Sequence, residues 1–180
     1  MIIRKNGYSW VGVEQSFFTE EECEEVIALC EDSFIITENM YGRGNTIKRF
    51  TKNFEETPFE ERLIDLTNEF NERTYNFHLI DSFTTFVNKY ERDLQLDWHK
   101  DENETLGKIY EKTPPNRVSV SIGLNTEYEG GEFELESWNG RTVRIDKGTA
   151  VIFCGSELHK AHPVQQGVRY SLGAWRKGIR

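Results

Sequence analysis

The chain has 180 residues and a formal net charge of −9, with 37% hydrophobic and 13% aromatic residues. That is enough apolar material for one folded domain with a sizeable core, and it excludes a disordered chain. The acidic balance works against binding a phosphate backbone, so nucleic acid is not the expected substrate.

The opening Met1-Ile2-Ile3-Arg4-Lys5-Asn6-Gly7 lacks the apolar run of a secretion signal. No stretch reaches the roughly 18 apolar residues of a membrane span. The three cysteines, Cys23, Cys30 and Cys154, lack the pair spacing of a zinc site. Free thiols suit a reducing compartment, so a cytoplasmic location without a membrane partner is expected.

In chain order, residues 1–80 read as the helical part and residues 81–180 as the β-rich part of a single domain. Thr19 precedes Glu20-Glu21-Glu22, and Val26, Ile27, Leu29 and Cys30 follow. Thr with Glu three residues on is a capping box, so a helix is expected from about residue 20. Residues 37–56 carry Gly42, Gly44 and several Asn and Thr, and read as loop with room for a short strand. Thr57-Pro58 followed by Phe59, Leu63, Leu66 and Phe70 predicts a second helix.

From residue 83 the period changes to two. Phe83–Val87 and Gln95–His99 read as strands, and Val118, Val120, Ile122 and Leu124 alternate with Ser119, Ser121 and Gly123. Glu129-Gly130-Gly131-Glu132 is a turn, and Asn139-Gly140 favours a tight hairpin. Strands follow at about 142–145, 149–154 and 168–175. Many short strands between turns predict a mainly β sandwich or jelly roll, an α+β chain with its helices packed outside.

The chemistry rests on few residues. The histidines are His78, His99, His159 and His162. In His99-Lys100-Asp101, residues two apart on a strand share a face, so an imidazole and a carboxylate can meet one metal. A solvated surface pair is the bland alternative. A late histidine, His159 or His162, would complete two His and one carboxylate, the facial set of non-heme iron(II) oxygenases. Arg169 and Ser171 fall on one face of the last strand. An inward guanidinium needs a buried anion, either a dicarboxylate ligand or one of the 31 acidic residues.

Together these motifs resemble the iron(II)/2-oxoglutarate-dependent dioxygenases, most of all the prolyl 4-hydroxylase and lysyl hydroxylase type. The resemblance covers about residues 83–176. It is carried by His99-Lys100-Asp101, Tyr128-Glu129-Gly130-Gly131-Glu132-Phe133, Lys147-Gly148-Thr149, His159, Pro163-Val164 and Arg169-Tyr170-Ser171. Phe17–Cys23 adds a weaker similarity. The resemblance implies a double-stranded β-helix core of cupin-like form. It implies Fe(2+) on His99, Asp101 and His159, since the family's distal ligand stands four residues before the Pro of Pro-Val. It implies 2-oxoglutarate held by Arg169 and Ser171, with O2 and ascorbate as further requirements. His162 is then a residue supporting a ligand or facing the substrate, or a polar loop residue, and His78 has no partner pattern.

One departure stands out. Related prolyl hydroxylases often carry a cosubstrate-side Tyr where this strand has Gly123. Tyr90 and Ser119, with Ser121 on the same face, are the candidates to assist. The resemblance implies hydroxylation of a C–H bond with release of succinate and CO2, on a peptidyl proline first and a peptidyl lysine or free amino acid next. The loop 101–116, with Lys108, Tyr110, Lys112 and Pro114-Pro115, reads either as a substrate lid or as a plain connection. The alkylated-DNA demethylase branch expects two closely spaced arginines and a basic groove, and only Arg169 and Arg176 are at hand. A non-catalytic cupin-like module and a hydrolytic zinc site remain the readings of other classes. Oligomeric state is not legible.

Overall fold

The computed structural model describes residues 1–37, 49–53, 59–102 and 114–179. The elements are β1 (Ile2–Asn6), β2 (Ser9–Glu14), α1 (Glu20–Cys30), β3 (Ile35–Thr37), β4 (Arg49–Asn53), α2 (Glu60–Arg73), β5 (His78–Tyr90), β6 (Leu96–His99), β7 (Asn116–Gly123), β8 (Tyr128–Gly130), β9 (Phe133–Leu135), β10 (Thr142–Val143), β11 (Ala150–Cys154), β12 (His159–Ala161), β13 (Val164–Gly167) and β14 (Arg169–Ile179). An eight-stranded sheet runs β1-β2-β11-β7-β14-β5-β4-β3, and a four-stranded sheet runs β10-β9-β12-β6. β13 and β8 form a third, two-stranded pair.

Period-two alternation splits the large sheet into two faces. Val118, Val120 and Ile122 of β7, Ala150 and Ile152 of β11, and Leu172 and Ala174 of β14 point to the helices. They form one core with Cys23 and Val26 of α1 and Leu63, Leu66 and Phe70 of α2. Each Val, Leu, Ile or Phe among them contributes about 1.5–3 kcal/mol on burial. From the opposite face Val11, Val151 and Phe153 meet Phe133 and Leu135 of the small sheet. The result is the expected β sandwich of jelly-roll type with helices outside it.

α1 starts where the capping box places it. The Glu22 amide donates to Thr19 Oγ1 at 3.2 Å, and the Thr19 amide donates to Glu22 Oε2 at 2.9 Å. Arg62 hydrogen-bonds the Glu22 carboxylate and holds its pKa below the usual Glu value. α2 begins at Glu60, and the expected start at Thr57-Pro58 lies outside the described residues. The three cysteines are buried and none is in a disulfide among the described residues, and burial pushes the Cys23 thiol up to about 11. Among the described residues, no helix is long and apolar enough to cross a membrane.

Several expectations need correction. The part read as helical, residues 1–80, also contributes strands: β1 and β2 form a hairpin, and β2 pairs with β11 in the large sheet. Gly7, at φ 57°, sits in its turn. Gly12 lets β2 lie under α2, since a Cβ there would approach Phe70 at 3.1 Å. Asn139-Gly140 closes a short 3₁₀ turn at Glu136–Trp138 rather than a two-residue hairpin loop. Both residues take left-handed φ, 53° and 81°. β5 outruns its expected 83–87 because β14 pairs with it from Arg169↔Tyr90 to Ile179↔His78. Lys108, Tyr110 and Lys112 of the expected lid lie outside the described residues, as do Gly42 and Gly44.

Candidate metal and cosubstrate site

The site forms where the small sheet faces the large one. β12 runs antiparallel to β6, and His159 is the direct Cα partner of His99. Their ring centroids are 4.0 Å apart. β6 ends at His99, so Asp101 lies beyond the strand rather than on it. Its carboxylate still reaches the same place. Asp101 Oδ1 is 3.7 Å from His99 Nε2, and Oδ2 is 3.5 Å from His159 Nε2. One ligand atom from each of the three residues falls within 4.8 Å of the others, and all three residues are buried.

Tautomers follow from the neighbours. His99 Nδ1 is 2.7 Å from the Asp97 carbonyl, and His159 Nδ1 is 3.0 Å from the Glu157 carbonyl. A carbonyl only accepts, so each Nδ1 carries the hydrogen. Each Nε2, facing Asp101, is then the ring nitrogen that can offer a lone pair to a metal. Two imidazoles and one carboxylate, converging with their orientation fixed from behind, suit a divalent transition metal. His162 is elsewhere: its Nε2 is 2.8 Å from Glu134 Oε2. His78 is exposed at the start of β5.

From the triad a cavity extends along the inner face of the large sheet. Its lining includes Phe86, Asn88, Tyr90, Ser121, Phe153, Arg169, Ser171 and Trp175. Arg169 is only 3% exposed, and its guanidinium lies 5.0 Å from the Tyr90 ring centre. Among the described residues no carboxylate pairs with Arg169, so the buried charge calls for an anion from outside. The turn glycines make room for it. A Cβ on Gly131, at φ 67°, would meet Arg169 Cδ at 3.0 Å.

Tyr90 and Ser171 thus stand beside Arg169 in the cavity. Ser119 does not line it. It is fully buried, and among the described residues its hydroxyl has no hydrogen-bond partner. Ser121, two residues on, takes the lining position. Asn88 was missed by sequence reasoning. It is the Cα partner of Ser171 and lies between Phe86 and Tyr90 on one face of β5. Extending the period-two reading from Phe86 to Tyr90 would have found it. Trp175 was also missed. Its ring packs 4.4 Å from that of Phe86.

Gly123 sits against the chain at residues 145–146. A Cβ there would lie 2.5 Å from the Ile145 carbonyl oxygen and 2.8 Å from that of Asp146. These are backbone atoms that do not swing aside, so no side chain fits. Gly123→Ala is expected to destabilise the fold by about 1–3 kcal/mol in urea unfolding, and a tyrosine by more. A Gly123→Ala protein as stable as the parent contradicts this packing.

The comparisons with known proteins point one way. The sequence profile described as the 2OG-Fe(II) oxygenase superfamily matches residues 85–177. A PKHD-type hydroxylase of Pseudomonas fluorescens is 29% identical over 104 residues, covering 54% of this chain and 44% of that protein. One from Delftia acidovorans is 40% identical over 63 residues, covering 34% and 28%. The matched part of this chain spans under half the length of these relatives. Among solved structures, a viral collagen prolyl hydroxylase from Paramecium Bursaria Chlorella virus-1, described as a 2OG complex, has a TM-score of 0.69 at 17% identity. It covers 94% of this chain and 96% of that one. A prolyl hydroxylase from Trichoplax adhaerens, in complex with a hypoxia inducible factor peptide fragment, has a TM-score of 0.71 at 16% identity, covering 96% and 84%. At such identities the likeness is one of fold. The profile match covers more than half of the chain, from β5 to β14, and includes all three converging ligands and Arg169. The chain belongs to the 2OG-Fe(II) oxygenase superfamily.

Proposed function

We propose that the protein is an iron(II)- and 2-oxoglutarate-dependent hydroxylase acting on a peptidyl proline. The observation that carries the reading is one cavity joining a two-His, one-Asp cluster to a buried arginine that pairs with no carboxylate among the described residues. His99, Asp101 and His159 would hold iron(II) on one side, leaving the remaining positions to face the cavity. The metal with 2-oxoglutarate and dioxygen supplies the oxidising power for C–H hydroxylation, with succinate and carbon dioxide released.

The chain's own residues do the rest. Arg169 receives the far carboxylate of the cosubstrate through its planar fork. Tyr90 backs that guanidinium, while Ser171, Asn88 and Ser121 offer polar groups along the cavity. Phe153, Phe86 and Trp175 give it apolar walls, which keep water from the reacting centre. With iron bound, the Asp101 carboxylate would take the position that a halogenating enzyme leaves for halide, which favours hydroxylation.

Support for a peptidyl proline comes from the prolyl hydroxylases among the structural neighbours, one of them described with a peptide. The test supplies proline-containing peptides with iron(II), 2-oxoglutarate and ascorbate. Lysine peptides and free amino acids run alongside. Succinate and a peptide heavier by one oxygen, placed on proline by fragmentation, are expected. Succinate coupled only to lysine peptides or amino acids would move the substrate assignment. No succinate with any of them would end the hydroxylase reading.

A further inference from the structure

His99 and His159 are each oriented by a carbonyl two residues earlier in the chain. Asp101, beyond the end of β6, needs another support. We propose that Asn116, Arg117 and Glu102 form a clamp that positions Asp101 in the metal site. The proposal rests on the iron reading above.

The clamp grips the chain on both sides of the Asp101–Glu102 peptide. Asn116 Nδ2 donates to the Asp101 carbonyl oxygen at 3.1 Å. The Glu102 amide donates to the Gly155 carbonyl at 2.8 Å, and the Gly155 amide donates to the Arg117 carbonyl at 2.9 Å. The Glu102 carboxylate pairs with the Arg117 guanidinium, with side chains only 8% and 11% exposed. Arg117 is itself seated: Nε donates to the Gly178 carbonyl at 3.3 Å, and its Cζ lies 5.5 Å from the Phe77 ring centre. Gly155 permits the close approach, since a Cβ there would come within 2.2 Å of the Asn116 carbonyl oxygen.

The first two residues of β7 and the exit of β11 therefore hold the residue after the ligand. A buried ion pair that loses one partner leaves the other charge uncompensated, and the local chain must rearrange to solvate it. Groups that orient a metal ligand typically matter about 10–100-fold in metal affinity. Movement of this peptide is thus felt at the Asp101 carboxylate. Glu102, Arg117 and Asn116 are positioning residues, acting through Asp101.

The test is a Co2+ titration read by visible absorption, which reports both affinity and coordination geometry. It compares the parent protein with Glu102→Gln, Arg117→Gln, the double variant, Asn116→Ala and Leu66→Ala. Leu66 is buried in α2 on the helix side of the large sheet, so its variant controls for general destabilisation. Glu102→Gln is expected to weaken Co2+ binding about 10–100-fold and to alter the band envelope. The double variant, which removes both charges, recovers part of the loss. Asn116→Ala shifts affinity in the same direction and carries the test if Glu102→Gln does not fold. Leu66→Ala lowers the melting temperature but binds Co2+ like the parent. Parent-like binding and spectrum in both Glu102→Gln and Asn116→Ala would overturn the clamp, as would an equal loss in Leu66→Ala. Failure of the parent itself to bind Co2+ or Fe2+ would remove the iron reading, and the clamp with it.

Discussion

Replacing Asp101 with alanine is expected to abolish succinate formation and metal uptake in a protein that still folds. The carboxylate lies within 3.7 Å of one imidazole nitrogen and 3.5 Å of the other, and it is the anionic member of the set. Its loss leaves two imidazole donors on adjacent strands. A metal in such a site stabilises transition-state charge by several kcal/mol, which corresponds to a rate loss on the order of a thousandfold or more. The fold should survive the change, because the Asp101 carboxylate faces the two imidazoles and the backbone there is held by Asn116 and Gly155 whatever the side chain. Metal content by elemental analysis, succinate yield and thermal melting measure the three claims together. His162→Ala is the contrast. Its ring pairs with Glu134, so metal content and turnover should stay near the parent's. Normal metal in Asp101→Ala, or lost metal in His162→Ala, would refute the assignment of the triad.

Replacing Arg169 with glutamine should separate cosubstrate from metal. The guanidinium is buried, lies against the Tyr90 ring and is supported by the space at Gly131. A buried charge-assisted pair that loses one partner costs roughly 2–5 kcal/mol, or about 30-fold and upward in affinity. The concentration of 2-oxoglutarate for half-maximal rate should rise by that factor, while the metal stays bound. Arg169→Lys should recover part of the affinity but not all, since an ammonium lacks the planar fork. Burial also makes the effect insensitive to salt up to moderate ionic strength. Unchanged half-saturation in Arg169→Gln, with metal retained, would show that the cosubstrate carboxylate binds elsewhere.

Local patterns in the chain carried much of this. The capping box at Thr19 and Glu22 fixed the start of α1, because both of its hydrogen bonds form within four residues. The alternation from Val118 to Ile122 read correctly, because a strand's two faces follow from backbone geometry alone. Where the local signal was short, the reading failed. β1 and β2 are stabilised by pairing with each other and with β11, not by their own composition.

The sequence by itself determined the chemical inventory: His-x-Asp, a late histidine, the Gly130-Gly131 turn and a following arginine, in an order shared with a known family. Only the tertiary structure made His99 and His159 cross-strand partners and left His162 with Glu134. It also put Ser121 rather than Ser119 in the cavity, set Asn88 opposite Ser171, and closed Gly123 with the carbonyls of residues 145 and 146. The reason is that residue type and spacing encode period, caps and donor chemistry within a few residues. Strand register joins segments dozens of residues apart, and it is settled by packing of whole sheets.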